Sequence, residues 1–376
     1  MTKDGNDQVS QRLTRLRSLL QERAIEAFLV TSAPNRRYLS GFRGSSGVLL
    51  ITQDTATIFT DFRYRVQVTR EAPRFTLREI SGEHPFPKVL AATVREMQLR
   101  AVAFEAHAVA VAQHQAMVEA CHEAASPDPA PSLHPVEDLV APLREVKDSN
   151  ELALLRRAIA ITDAAVEAVL PSLRPDQTER QAAWMLEVAM RERGAEGVAF
   201  PLIVAAGPNA AQPHAEAGDD LLGTGRPIVI DMGSRFQGYH ADMTRTVVLG
   251  EPDDRFWTIY DLVLGAQSCA VAGIRPGMSG VEADALARER IEAAGFGKEF
   301  GHGLGHGVGL DIHEGPRLRR GEPQQTLRVG NVFSVEPGIY LEGWGGVRIE
   351  DLVLLHVHGC EVLTHASKQP VVSPSG

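Results

Sequence analysis

The sequence predicts an α/β domain followed by an α+β domain, and three observations carry that prediction. Strand-like apolar runs alternate with helical stretches over residues 1–125; a proline-rich stretch then interrupts regular structure; beyond it, long amphipathic helices are joined by apolar strands. In chain order, the stripe Val9, Leu13, Leu16 and Leu20 predicts a surface helix packed on its own domain. Strands follow at 27–31, 48–52, 56–60 and 101–105, with a helix at 88–99. Pro127, Pro129, Pro131, Pro135 and Pro142 exclude a helix interior or a central strand, so the boundary falls between Pro142 and Ser149 and the domains are 1–142 and 149–376. Asp148-Ser149 offers an N-cap for a helix at 150–170, with apolar positions at Leu152, Leu155, Ile159 and Val166. Further helices are expected at 176–193, ended by Gly194, and at 253–272 and 279–294. Strands are expected at 227–233, 241–249, 332–335 and 347–355.

Composition narrows the function classes. Of 376 residues, 44% are hydrophobic and 23% charged, enough apolar surface to offset chain entropy, so a disordered chain is excluded. Lys and Arg number 38 against 48 Asp and Glu, a net charge of −10, which disfavours nucleic acid or an anionic membrane as partner. The cysteines, Cys121, Cys269 and Cys360, are scattered with no CxxC, so neither a disulfide framework nor a cysteine zinc site is expected. Residues 1–11 lack the apolar core of a signal peptide, and no apolar run approaches the roughly 20 residues of a membrane span. A soluble protein of the reducing cytoplasm is the expectation.

The chemistry is concentrated in three segments. If the strands Ile228-Val229-Ile230-Asp231-Met232 and Ala241-Asp242-Met243-Thr244 form a hairpin turning between Phe236 and Gln237, Asp231 faces Asp242. Directly opposed Cβ atoms lie about 4.5–5.5 Å apart, where two carboxylates repel unless a cation or shared proton lies between them. An aspartate at a strand end is also an ordinary turn residue. A second hairpin centred on Gly343 sets Glu336 opposite Glu350, with Arg348 on the face of Glu350 by strand alternation; an ordinary ion pair is the alternative there. The third segment, from Gly301-His302-Gly303 through His306 to His313-Glu314-Gly315-Pro316, matches neither GxGxxG nor a P-loop nor HExxH. Glycines alternating with histidines imply extended backbone at a crowded point, with imidazoles reaching into a pocket. Two Asp, two Glu and one His form an oxygen-dominated set that suits a pair of divalent ions, and such a pair activates water for hydrolysis. No GxSxG elbow is present and no motif surrounds any cysteine.

These segments resemble the pita-bread dinuclear metallopeptidases, in the branch of Xaa-Pro aminopeptidases and Xaa-Pro dipeptidases (prolidases). The likeness is carried by Ala206-Gly207-Pro208-Asn209 through His214, Asp231 through Thr246, His302 to Pro316, Glu336-Pro337-Gly338-Ile339-Tyr340 and Arg348-Ile349-Glu350-Asp351. Asn35 to Gly47 and Thr60-Asp61-Phe62-Arg63-Tyr64 resemble the creatinase-type N-terminal domain. The resemblance implies a pita-bread (creatinase/aminopeptidase-like) second domain in which Asp231, Asp242, His306, Glu336 and Glu350 bind two divalent ions, Mn²⁺ first, with Co²⁺ or Zn²⁺ as alternatives. Asp242 and Glu350 would bridge the ions, which share a hydroxide. It further implies that His214 and His313 serve the substrate and the tetrahedral intermediate, that Glu336 shuttles the hydroxide proton, and that Arg348 and His302 support the site. Departures are Ala241, Phe62 and Ala215, where many relatives carry Ser, Gly, and Tyr, His or Gly respectively; none is at a ligand position.

A bond before proline is a tertiary amide without an N–H, so a dedicated pocket is needed for peptides with proline in second position. The stretches 38–47 and 60–64 look more like Xaa-Pro aminopeptidases, which favours cleavage of longer peptides, with a dipeptide-restricted prolidase as the alternative. A dipeptidase would offer a cation to the free carboxylate. Arg36, Arg37 and Arg43 are the candidates in the first domain, and they are expected to be solvated instead. The resemblance also implies a homodimer. A non-catalytic pita-bread interaction module is disfavoured because all five ligands are in place.

Overall fold

Val9, Leu13, Leu16 and Leu20 recur at helical spacing, and all four are buried on α1 (Lys3–Glu22). In this computed structural model, which describes residues 3–125, 127–321 and 326–372, the chain divides into the units Met1–Arg144 and Glu145–Gly376.

The first unit is a six-stranded sheet with helices. Its elements after α1 are β1 (Ala27–Val30), α2 (Ala33–Ser40), β2 (Val48–Thr52), β3 (Ala56–Asp61), α3 (Arg65–Glu71), β4 (Thr76–Ile80), α4 (Phe86–Glu96), β5 (Ala101–Glu105), α5 (Val111–Ala125), β6 (Ser132–Val136) and α6 (Ala141–Arg144). The strand order is β4-β3-β2-β1-β5-β6. Every residue of central β1 is buried, as expected of a strand covered on both faces. The elements that the sequence pattern did not announce are mostly peripheral. β4 and β6 are edge strands, where partial exposure blurs the alternation and Pro135 is tolerated. α5 buries only Met117, Ala120 and Cys121, too few to print a helical stripe. Arg36 is not solvated: it is buried and donates to the carbonyls of Gly44 and Gly47, both at 2.8 Å. Arg43 stays exposed as expected, while its guanidinium pairs with Glu71 at 2.9 Å.

The second unit opens with α7 (Ser149–Val169) and α8 (Glu179–Glu192). Each starts at a reciprocal cap, Asp148 with Glu151 and Thr178 with Gln181. They cover β7 (Gly197–Val198), β8 (Ile203–Ala206), β9 (Ile228–Met232), β10 (Ser234–Phe236), β11 (Tyr239–His240) and β12 (Met243–Leu249). Val166, Leu186, Ile230 and Val247 meet in that core. A second pair, α9 (Asp254–Gly273) and α10 (Gly280–Ala293), packs on β13 (Gly305–Gly307), β14 (Glu314–Leu318), β15 (Val332–Val335), β16 (Gly338–Leu341), β17 (Gly345–Arg348), β18 (Asp351–His356) and β19 (Gly359–Val362) around Val263, Ala287, Phe333 and Val353. β20 (Val371–Val372) returns to pair with β12.

The strand expected at 347–355 is two strands. β17 pairs with β16 in a two-stranded sheet, β18 with β15 in a five-stranded sheet, and the chain changes sheets at Ile349-Glu350. The partner strand breaks opposite, at Glu336-Pro337.

Candidate metal centre

The first hairpin differs from its expected register. Asp231 pairs with Thr244, not Asp242, because the turn falls at Gln237-Gly238, whose φ values of 43° and 72° suit a two-residue hairpin loop. A shift of two residues leaves every side chain on its face. Asp242 therefore still opens beside Asp231, diagonally rather than opposite, and it lies in the gap between β11 and β12. The position across from that gap is Gly233, where an added Cβ would sit 1.9 Å from the Ala241 carbonyl oxygen. The second hairpin has the expected register: Gly338 pairs with Arg348 and Val335 with Asp351, which brackets Glu336 against Glu350.

His306 comes from β13, next to β15 and β14. Its strand runs so close to its neighbours that a Cβ at Gly305 or Gly307 would lie 1.9 Å from the carbonyl oxygen of Ser334 or Gly315. The alternating glycines thus mark crowded backbone, as their pattern suggested.

Asp242, His306 and Glu350 each offer a ligand atom within 4.8 Å of the other two. The His306 Nε2 is 3.3 Å from Glu336 Oε1 and 3.7 Å from Asp242 Oδ2. Its Nδ1 faces the Gly307 carbonyl at 3.2 Å; a carbonyl only accepts, so Nδ1 carries the proton and Nε2 presents a lone pair to two carboxylates. Burial lowers the His306 pKa to about 4, which keeps the ring neutral. Burial, then the charges of Glu350 and Asp231, raise Asp242 well above the usual carboxylate range. Burial, then Glu336 and Asp231, do the same to Glu350, and burial raises Glu336. Asp231 Oδ1 is buried without a hydrogen-bond partner. Lone pairs aimed at one another, together with an orphaned carboxylate oxygen, fit a site built for divalent cations.

Around this cluster, hydrogen bonds fix each group. Thr244 Oγ1 donates to Glu350 Oε2 at 2.6 Å, and Ser334 Oγ donates to Glu336 Oε1 at 3.0 Å while accepting from the His306 amide at 3.0 Å. Arg348 is buried and reaches Asp231 Oδ2 at 2.8 Å, Thr244 Oγ1 at 2.9 Å, the Tyr340 hydroxyl at 2.9 Å and the Pro213 carbonyl at 3.2 Å. His302 lies 2.9 Å from the Tyr340 hydroxyl and so joins the site through Arg348. His313 keeps solvent-exposed surface, its ring 4.3 Å from that of His306, and the partial burial of that ring, then the neighbouring His306, lowers its pKa to about 4. His214, also exposed, follows Pro213 and bears electrostatically on His313. Sequence reasoning assigned no role to Thr244, Ser334, Tyr340 or Arg317. Strand alternation from Asp242 would have found Thr244. Arg317 required the pairing of β14 with β13, which sets it directly opposite His306.

Two family descriptions match the chain: Metallopeptidase family M24 over residues 153–356, and the Creatinase/Prolidase N-terminal domain over residues 12–146. The Xaa-Pro dipeptidase of Pyrococcus horikoshii is 32% identical over 364 residues, which cover 96% of this chain and 99% of that protein. The solved Xaa-Pro dipeptidase from Bacillus anthracis superposes with a TM-score of 0.91 at 37% identity, covering 97% of this chain and 99% of its own. The X-Pro aminopeptidase from Thermotoga maritima gives 0.86 at 37% identity, covering 96% and 99%. The second unit has the pita-bread fold of these neighbours, and no helix among the described residues is long and apolar enough to cross a membrane. With both units matched at this length, the chain belongs to metallopeptidase family M24 and is a metallopeptidase.

Proposed function

We propose that the chain hydrolyses the Xaa-Pro bond of dipeptides, with Asp231, Asp242, His306, Glu336 and Glu350 holding two divalent cations, Mn²⁺ first. The observation that carries the dipeptide reading is Arg317. It stands opposite His306, its charge depresses both His306 and His313, and among the described residues its guanidinium has no ion pair or side-chain hydrogen bond. A free guanidinium beside the reacting groups suits the C-terminal carboxylate that a dipeptide carries next to the scissile bond. The relatives from Pyrococcus horikoshii and Bacillus anthracis bear dipeptidase names, which supports the same reading.

The cations would supply Lewis-acid polarisation and water ionised near neutral pH. Glu336, oriented by Ser334, takes the proton of the attacking water and returns it to the leaving proline nitrogen. His313 and His214 donate hydrogen bonds to the oxygen on which negative charge develops. Arg348 holds Asp231 and, through Pro213, the loop that carries His214. The reading extends to a homodimer, supported by the family resemblance, and to the cytoplasm, supported by three free thiols.

A second reading, an Xaa-Pro aminopeptidase acting on longer peptides, is favoured by the Thermotoga maritima neighbour at 37% identity. A panel of Xaa-Pro and Xaa-Pro-Yaa peptides, assayed after chelation and readdition of Mn²⁺, Co²⁺ or Zn²⁺, separates the two. Dipeptides are expected to show the higher kcat/KM, and Arg317→Ala to raise their KM by about tenfold or more, the order expected for a lost charged hydrogen bond. Preferred cleavage of tripeptides, unaffected by Arg317→Ala, would make the aminopeptidase reading correct.

A further inference from the structure

Glu350 lies between β17 and β18, where the chain leaves one sheet for another, so neither ladder fixes it. Two consecutive residues of β12 hold it instead. Thr244 accepts the Glu350 amide at 3.1 Å on its carbonyl and donates its hydroxyl to the Glu350 carboxylate. Arg245, pointing to the opposite face of the strand, donates Nη1 to the Glu350 carbonyl at 2.6 Å and to the Thr244 carbonyl at 3.0 Å. Its Nη2 reaches Asp351 Oδ1 and the Ala366 carbonyl, each at 2.9 Å, and Nε bonds the carbonyls of Ala366 and Ser367 at 3.2 Å. Every nitrogen of the guanidinium is engaged, and the pair is sealed, with 2% of the Arg245 side chain and none of Asp351 exposed. Asp351 in turn accepts from Thr364 at 2.7 Å, from Gln267 at 2.8 Å and from Lys368.

A buried ion pair is weak evidence for stability, because apolar residues of similar volume often serve as well or better. This one has a specific attachment, the backbone of a carboxylate that must stay near Asp242, Glu336 and Asp231 against their repulsion. We propose that Arg245 and Asp351 are positioning residues that hold Glu350 in its metal-binding place before any cation arrives, an inference that rests on the metal reading of the site. A lysine at 245 keeps the charge but cannot span the Glu350 carbonyl, Asp351 and Ala366 at once.

The test is calorimetric titration of the metal-free full chain with Mn²⁺ alone, comparing wild type, Arg245→Lys and Thr364→Val, with thermal melting of each metal-free protein alongside. Arg245→Lys is expected to raise the Mn²⁺ Kd by about 10–100-fold, the usual cost of disturbing an outer partner of a ligand. The concentration of Mn²⁺ that half-restores peptidase activity should shift equally, with kcat at saturating Mn²⁺ recovered. Thr364→Val, which removes one hydrogen bond from Asp351 at nearly constant volume, should shift Kd in the same direction by less. A lowered melting temperature with unchanged Kd in Arg245→Lys would make the pair merely structural and overturn the proposal. Should Arg245→Lys fail to fold, an unchanged Kd in Thr364→Val overturns it instead. Wild-type protein that takes up no Mn²⁺ overturns the metal reading itself, an outcome distinct from equal uptake by wild type and variants.

Discussion

His306 and Asp231 are the side chains whose surroundings make least sense without a cation. One aims a bare nitrogen at two carboxylates, and the other buries an oxygen with nothing to accept from. Asp242→Ala is accordingly expected to abolish turnover and Mn²⁺ uptake while far-UV circular dichroism stays unchanged, since the two cores packed by α7 to α10 do not include this residue. His313→Ala and His214→Ala should behave differently. In the proposed mechanism they serve the substrate, so metal content should persist while kcat drops by about 10²–10³, the worth of a donor aimed at a developing oxyanion. Loss of metal in His313→Ala, read by elemental analysis, would make it a ligand. The clustering of His302, His306 and His313 was legible in the sequence, but their division of labour was not. In a glycine-rich extended segment, spacing alone does not say which ring turns inward, and here His302 faces Tyr340 while His306 faces the carboxylates.

At the scale of elements, both hairpins place carboxylates where their ladders break. Asp242 falls between β11 and β12, Glu336 between β15 and β16, and Glu350 between β17 and β18. An interrupted ladder lets a backbone turn its side chain off the regular face and toward a shared centre. That geometry tolerates little added volume. A methyl group at Gly305 would collide with Ser334, which orients both His306 and Glu336, whereas Gly301 has open space around it. Gly305→Ala should therefore cost about 1–3 kcal/mol in urea unfolding, as overpacking does, and weaken Mn²⁺ binding, while Gly301→Ala changes either little. Equal behaviour of the two variants would remove the crowding argument. The start at Asp148 is legible because a cap is a local hydrogen-bond device, and the structure shows that the starts expected at 253 and 279 also fall on capping side chains, Asp253 and Ser279. The strand break at Ile349-Glu350 was not read, because Val347 to Leu355 is apolar enough to continue as one strand and only the change of neighbouring sheet divides it.

For the whole molecule, the two units have separate cores, and the carboxylate and histidine cluster lies within the second. Calorimetry of the metal-free chain should resolve two transitions, and Mn²⁺ should raise only the one belonging to Glu145–Gly376, by about 2.7 kcal/mol for each cation held at a hundred times its Kd. Equal elevation of both would show that the units melt as one. The sequence by itself determined the two-part fold class, the capped helices of the second unit, the register of the second hairpin and the acidic, histidine-bearing segments, because periodicity, caps and turn glycines are all local. Tertiary structure alone decided that Asp231 pairs with Thr244, that Arg36 is buried and Arg43 paired with Glu71 at the surface of the first unit, and that Arg317 stands across from His306. The same holds for Arg245, which bonds the carbonyl of a residue more than a hundred positions away. A turn can slide by two residues without moving any side chain to the wrong face, and a cation finds its anion only after distant strands have met; neither choice leaves a mark in the local pattern.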